Sequence, residues 1–234
     1  FEYMLTILNS NFEDWRRANP DAPADTFKFS YKKMNPAGSL FDAAKLRDVS
    51  KNVISKFTAK TVYEQAAQWA KQYDAQLYTL LTSDPAYATG IFDIDRGGKK
   101  PRKDIAVFSE IRDYVSYFYD ELFTPADVYP QQLQPSDVRA ILSAYQTVYD
   151  ETDDKDTWFA KIKSICEPLG FCPDVKAYKA NPDAYKGHVG DVSTVIRVAV
   201  TGRTNTPDLW AILKLYGRQR VMQRLEQAIL RLEK

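Results

Sequence analysis

The chain of 234 residues contains one histidine, His188, and two cysteines, Cys166 and Cys172. A single imidazole excludes paired-histidine metal sites and most Ser-His-Asp arrangements. The cysteine spacing is neither CxxC nor any common zinc pattern, so both thiols are expected free and reduced, as in a cytoplasmic protein. No glycine-rich loop followed by Lys-Ser/Thr is present to cradle a triphosphate. There is no signal peptide and no apolar run near the roughly 20 residues needed to span a bilayer, so no membrane partner is expected. Excess charge is missing too. Thirty-two basic residues face 31 acidic ones, a net +1. The chain is not a polycation, and any affinity for nucleic acid has to come from local basic patches.

What is present is ordinary globular composition, 44% hydrophobic and 27% charged, at a length that buries a sizeable core. The chain opens at Phe1 without an initiator methionine and is expected to be an excised fragment.

Apolar periodicity predicts a mainly α fold. Met4, Leu5, Leu8, Phe12 and Trp15 form a helical stripe that ends at Asn19-Pro20. Phe27 to Ser30 is a short extended piece. Pro36 and Gly38 mark a loop before a helix over 40–53. Val62, Ala66, Trp69, Tyr73 and Leu77 predict a helix over 60–82, ended by Asp84-Pro85. Ile111, Val115, Phe118 and Leu122 predict another over 105–123. Pro135-Ser136-Asp137 reads as the cap of a helix with Val138, Ile141, Leu142, Tyr145 and Val148 on its inner face. The acidic run Asp150 to Asp156 reads as a solvated turn, since no EF-hand spacing is present. Trp158 to Cys166 is helical and 173–192 irregular, with His188 in a loop. Thr206 reads as an N-cap with Pro207 at the first helical position, and Gly217 as the end of that helix. Val221, Leu225, Ile229 and Leu232 give a last amphipathic helix.

Two stretches carry candidate chemistry. From Arg96 to Lys103 five of eight residues are basic and none is acidic. Cations on a loop suit phosphate, and an arginine fork also reads a base edge. The alternative is an ordinary solvated loop. The second stretch runs from Ile196 to Trp210. Arg197, Arg203 and several hydroxyls precede a helix start bearing Leu209 and Trp210. Free N–H groups there attract phosphate or base acceptors, and an exposed aromatic stacks on an unpaired base. On pattern alone, Leu209 and Trp210 fit a core role equally well. Lys32-Lys33-Met34-Asn35-Pro36 lacks the second lysine and the serines of the class I synthetase signature, and is rejected as one.

The run Arg197-Val-Ala-Val-Thr-Gly-Arg203, then Thr206-Pro207 and Leu209-Trp210, then Leu215-Tyr-Gly-Arg-Gln-Arg-Val221 resembles the C-terminal anticodon-binding segment of bacterial-type glutamyl-tRNA synthetases. Gly38-Ser-Leu-Phe-Asp-Ala-Ala-Lys-Leu46, Asn9-Ser-Asn-Phe-Glu-Asp-Trp-Arg16 and Gly187-His-Val-Gly-Asp-Val192 fit the same family, and the resemblance covers nearly the whole chain. It implies two consecutive helical anticodon-binding units, 58–125 and 126–234, preceded over 1–57 by the end of a tRNA stem-contact domain. It implies anticodon contacts at Arg197, Thr206, Pro207, Leu209 and Trp210, the last standing where the family has phenylalanine. The family's arginine that reads the third anticodon base falls on Arg102. Arg96, Lys99, Lys100, Lys103 and Arg203 are then expected to meet phosphate. The implied partner is tRNA(Glu), not DNA, bound by a monomer in the cytoplasm. The family's catalytic domain, which binds ATP, magnesium and glutamate, has no counterpart here, so the fragment needs no cofactor and no catalytic residue is assigned. The competing reading is a helical protein–protein interaction module.

Overall fold

The structure, a computed structural model, describes residues 1–34, 38–98 and 100–233. Lys99 and the loop marker Pro36 lie outside the described residues. Among those described there are twelve α-helices, short 3-10 turns and no strand, only an isolated bridge between Cys172 and His188. The mainly α expectation holds. No described helix is long and apolar enough to cross a membrane.

The helices are α1 (Glu2–Leu8), α2 (Phe12–Ala18), α3 (Ala43–Ser55), α4 (Ala59–Tyr73), α5 (Ala75–Ser83), α6 (Pro85–Asp93), α7 (Ile111–Val115), α8 (Pro135–Val148), α9 (Lys155–Cys166), α10 (Val175–Ala180), α11 (Val189–Thr201) and α12 (Leu209–Arg231). Aspartate sets many of the starts. The carboxylates of Asp42, Asp74, Asp84, Asp154, Asp174 and Asp208 each accept from a backbone N–H three residues on. Each such cap is worth ~1 kcal/mol.

This habit explains where the sequence-based expectations differ from the structure. The 60–82 helix is two helices, because Asp74 ends α4 and caps α5. Asp84-Pro85 not only stops α5 but opens α6, with proline at its first position. The supposedly irregular 173–192 contains α10, capped by Asp174, and the start of α11, where His188 Nδ1 accepts from Gly190 N at 2.9 Å. The 105–123 stretch is helical only in short pieces: a 3-10 turn over Phe108–Glu110, α7, and another over Ser116–Phe118. The first stripe splits at residues 9–11 into α1 and α2. The N-cap before the last helix is Asp208, not Thr206. The Asp208 carboxylate accepts from Ala211 N at 3.0 Å, and Thr206 and Pro207 precede the helix. Gly217 interrupts α12 with φ +70°, a backbone that L side chains rarely adopt. The freed amide of Arg218 donates to Glu151 Oε2 at 2.8 Å.

α4, α5 and α6 pack together, as do α8, α9, α11 and α12, and α12 also meets α6. One apolar core therefore runs from Ile54 and Val62 through Phe118 and Ile141 to Leu225 and Ala228. Cys166 belongs to it and Cys172 is buried as well, both as free thiols, and burial pushes the Cys166 thiol up to about 11. A separate small cluster of Leu5, Phe12 and Phe27 supports the N-terminal segment. Between residues 113–126 and the last helices the join is polar as well as apolar. Arg224, only 3% exposed, donates to Tyr117 O at 2.6 Å, Val200 O at 2.7 Å and Asp120 Oδ1 at 2.7 Å, with its guanidinium 3.8 Å from the Phe123 ring centroid. Gly202 ends α11 beside the chain at Thr124, where a Cβ would lie 2.9 Å from Thr124 O.

Candidate nucleic-acid interface

The join between the two helical groups brings the two arginine-bearing stretches together. Asp93 ends α6, and the chain turns through Asp95, Gly97 and Gly98 into the basic run. Opposite it, α11 ends at Gly202 and residues 203–208 loop to the start of α12. A cleft of about 300 Å3 opens between them, walled by Arg102, Tyr114, Arg203, Asn205, Thr206 and Pro207. A second cleft of about 440 Å3 lies beside it and includes Asp95, Lys155, Arg197, Thr206, Pro207 and Leu209. Five of the expected contact residues, Arg102, Arg197, Thr206, Pro207 and Leu209, thus share adjoining clefts although 95 residues separate Arg102 from Arg197 in the chain.

The side chains differ in what they have free. Arg102 is half-buried and lies against Asp104, donating from Nε to Oδ2 at 2.6 Å and from Nη2 to Oδ1 at 3.0 Å. The hydrogen bonds to Asp104 raise its already high pKa, so the guanidinium stays a cation and a pure donor. Nη1 has no partner among the described residues. Arg197 is half-buried, and desolvation lowers its pKa. One nitrogen, Nη1, serves the Thr206 hydroxyl, Thr206 O at 3.4 Å and Pro207 O at 3.2 Å. Arg197 therefore shapes the Thr206-Pro207 turn. Thr206, Pro207 and Leu209 are themselves buried, and the Thr206 hydroxyl also donates to Pro207 O at 2.8 Å.

Arg203 is a clamp. It donates to both carboxylate oxygens of Asp113, at 3.0 and 2.6 Å, to Asp113 O at 3.0 Å and to the Ser116 hydroxyl at 3.1 Å. Those bonds raise its pKa and hold the Asp113 carboxyl below the usual range. Arg96 turns inward, from Nε to Phe92 O at 2.7 Å and from Nη1 to Ile54 O at 2.9 Å and Phe57 O at 3.2 Å, and desolvation lowers its pKa. It satisfies carbonyls at the end of α3. Lys100 and Lys103 are exposed and border a wide groove of about 710 Å3 with Arg16, Arg17 and Lys56 of the N-terminal segment. Trp210 stands apart from both clefts. It is half-buried, its Nε1 donates to Asp153 O at 3.2 Å, and Lys214 Nζ lies 5.8 Å from its ring centroid.

The arrangement offers planar cationic donors beside Tyr114, whose hydroxyl burial pushes up to about 12, and beside the exposed amide of Asn205. Donor forks, an amide and an aromatic wall match the edge and face of a heteroaromatic base. Sequence reasoning did not single out Asp95, Asp104, Tyr114 or Asn205. Asp104, two residues after Arg102, was the one signal within reach, because a carboxylate so close to an arginine pairs with it. Among the described residues no group of three or more His, Cys, Asp or Glu is placed to hold a metal ion.

Residues 176–229 match the Anticodon binding domain family. The chain is 45% identical over 228 residues to the glutamate–tRNA ligase of Acetivibrio thermocellus, covering 97% of this chain and 42% of that protein. The corresponding ligase of Clostridium perfringens is also 45% identical over 228 residues, and that of Sorangium cellulosum 42% over 226. A crystal structure of a glutamate tRNA ligase from Elizabethkingia meningosepticum shares the fold at a TM-score of 0.56 and 13% identity, covering 88% of this chain and 36% of that one. The chain belongs to the glutamate–tRNA ligase family and spans about two fifths of the length of the relatives it matches.

Proposed function

We propose that the chain is the anticodon-recognising part of a cytoplasmic glutamate–tRNA ligase whose complete form joins glutamate to tRNA(Glu) with ATP and magnesium. On this reading the ATP chemistry belongs to the family's catalytic domain and this chain recognises the tRNA. On this reading 1–57 ends a stem-contact domain, and 58–125 and 126–234 are two anticodon-binding units acting as a monomer. The observation that carries it is the convergence of Arg102, Arg197, Thr206, Pro207 and Leu209 on two adjoining clefts. Arg102 reads the third anticodon base. Pro207, Leu209 and Thr206 form the floor and Arg197 holds that floor in shape, while Trp210, apart from the clefts, offers the accessible part of its indole to the bound RNA. Lys99, Lys100 and Lys103 meet phosphate. Arg96 and Arg203, expected from the sequence to meet phosphate, keep their carbonyl and Asp113 partners instead and order the loops that face it.

Glutamate and glutamine anticodons differ at the third base, cytosine against guanine. Cytosine presents adjacent acceptors O2 and N3, which a donor-only guanidinium matches. Guanine presents N1–H and N2–H, which face it as unpaired donors. The test is titration of the chain with tRNA(Glu) at several salt concentrations. Binding that weakens with salt as counterions are released and that exceeds binding of tRNA(Gln) is the expected result. Salt-independent binding, or equal affinity for both tRNAs and for unrelated proteins, would favour a protein–protein module.

A further inference from the structure

Asp95 lies in the wall of the cleft around Arg197, seven residues before Arg102. Its main-chain carbonyl accepts from the backbone N–H of Arg102 at 3.4 Å. Its carboxylate crosses to the other helical group and accepts from the backbone N–H of Asp208 at 2.9 Å, a bond between residues 113 apart in sequence. It also borders both the cleft around Arg197 and the narrow cavity beneath Arg102. Asp208 is the N-cap of α12, so this bond fixes the residue that sets the helix start.

Asp95 is also the one positive-φ residue other than glycine among those described, at φ +56°. Glycine meets such a backbone at least as well, while aspartate is one of the few L residues that tolerate it. What aspartate adds at this point is a carboxylate. An unusual backbone held in place at a cleft is grounds for a functional hypothesis. Charge points the same way. Asp104 is the main support of the Arg102 charge, and Asp208 is the main one that offsets the desolvation of Arg197; the Asp95 carboxylate adds a smaller favourable contribution to both, as it does for Lys155.

We propose that Asp95 is a positioning residue for anticodon discrimination, tying the Arg102 turn to the start of α12 so that the fork and the Thr206–Leu209 floor form one reading surface. The proposal rests on the role given to Arg102 above. A reading group only slightly loose in its placement loses selectivity before it loses affinity, because the matched and mismatched bases differ by the geometry of a few bonds.

The test uses this chain with Asp95→Gly and Asp95→Asn. Glycine suits the backbone but removes the acceptor, and asparagine keeps an acceptor oxygen and tolerates the same φ. Two tRNAs differing only at the third anticodon base compete for each protein, and exchange of the Asp208 amide is followed without RNA. The expected result is a cytosine-over-guanine preference reduced about fivefold in Asp95→Gly, the scale of one hydrogen bond. Its melting temperature stays near that of the unmutated chain and its Asp208 amide exchanges faster, while Asp95→Asn keeps both the preference and the protection. A merely structural role would lower affinity for both tRNAs equally. That outcome, or a preference that Asp95→Gly retains, overturns the inference alone. Absence of any preference in the unmutated chain would overturn the reading of Arg102, and this inference with it.

Discussion

The basic turn 96–103 and the stretch 197–210 look alike as sequence, each with arginines and a break in helical pattern, yet they are built in opposite ways. In the turn, Lys100 and Lys103 are exposed, Arg102 is half-buried against Asp104, and Arg96 is committed inward. In the second stretch Thr206, Pro207 and Leu209 are buried and both arginines are held by intramolecular partners. The turn supplies exposed charge, while 197–210 supplies shape. A site that both attracts a polyanion and discriminates one base needs both, because phosphate contacts position while base contacts specify.

The sharpest way to break this contrast is to remove shape. Leu209→Ala is expected to lower stability by about 2–5 kcal/mol, the range for a buried leucine, and to be read as a large drop in melting temperature. The same measurement on Lys100→Ala should show no change. Trp210→Ala comes next. The indole is half-buried, so the loss is smaller than for a fully buried tryptophan, about 2 kcal/mol. Binding of tRNA(Glu) should also weaken, by about 1 kcal/mol, at the lower end of a stacking contact, and Trp210→Phe should restore both. Stability lost with binding unchanged would remove Trp210 from the RNA-facing surface.

Removing charge should do less, and do it differently. Lys100→Ala with Lys103→Ala is expected to weaken tRNA(Glu) and tRNA(Gln) alike and to flatten the slope of log affinity against log salt by about 2, close to one per phosphate contact. A change confined to one tRNA would show that these lysines read bases. The smallest effect concerns pH. Arg203 holds the Asp113 carboxyl below its ordinary value, so the stability of this clamp is present above the unfolded value of about 3.9 and is lost as pH falls through the lowered folded one. Asp113→Asn should remove that part of the acid limb in a pH-melting series. Because Asp113 is largely exposed, the change should be slight.

Much of this was legible in the sequence, and the part that was not has a common physical cause. The inner faces at Val62-Ala66 and Val138-Ile141-Leu142-Tyr145 are plain, since burial demands the helical repeat. Helix ends at Asp74, Asp174 and His188 escape the sequence pattern, and Asp84 shows there as a stop but not as the start of α6, because a short polar residue that interrupts one helical pattern also caps the next helix. Thr206 has the chemistry of a cap, but the Arg197 guanidinium and Pro207 O occupy its hydroxyl, and the Asp208 carboxylate takes the role. In the site, the arginines were visible as residues but their partners were not. That Arg203 meets Asp113 depends on α11 packing against the 3-10 turn after α7, and that Asp208 N–H meets Asp95 on α12 packing against α6, which no local pattern encodes.

On the proposed reading, Arg102 chooses the third anticodon base from a cleft whose shape the second stretch provides. Its most direct test is competition between two tRNAs identical except for cytosine or guanine at that base, for the unmutated chain and for Arg102→Gln. Glutamine offers an acceptor as well as a donor and meets either base. The expected result is a cytosine preference in the unmutated chain that Arg102→Gln narrows by about 1–3 kcal/mol, the scale of one good base contact. A ratio unchanged by the substitution would contradict it and return Arg102 to the solvated or phosphate-facing residues of the basic turn.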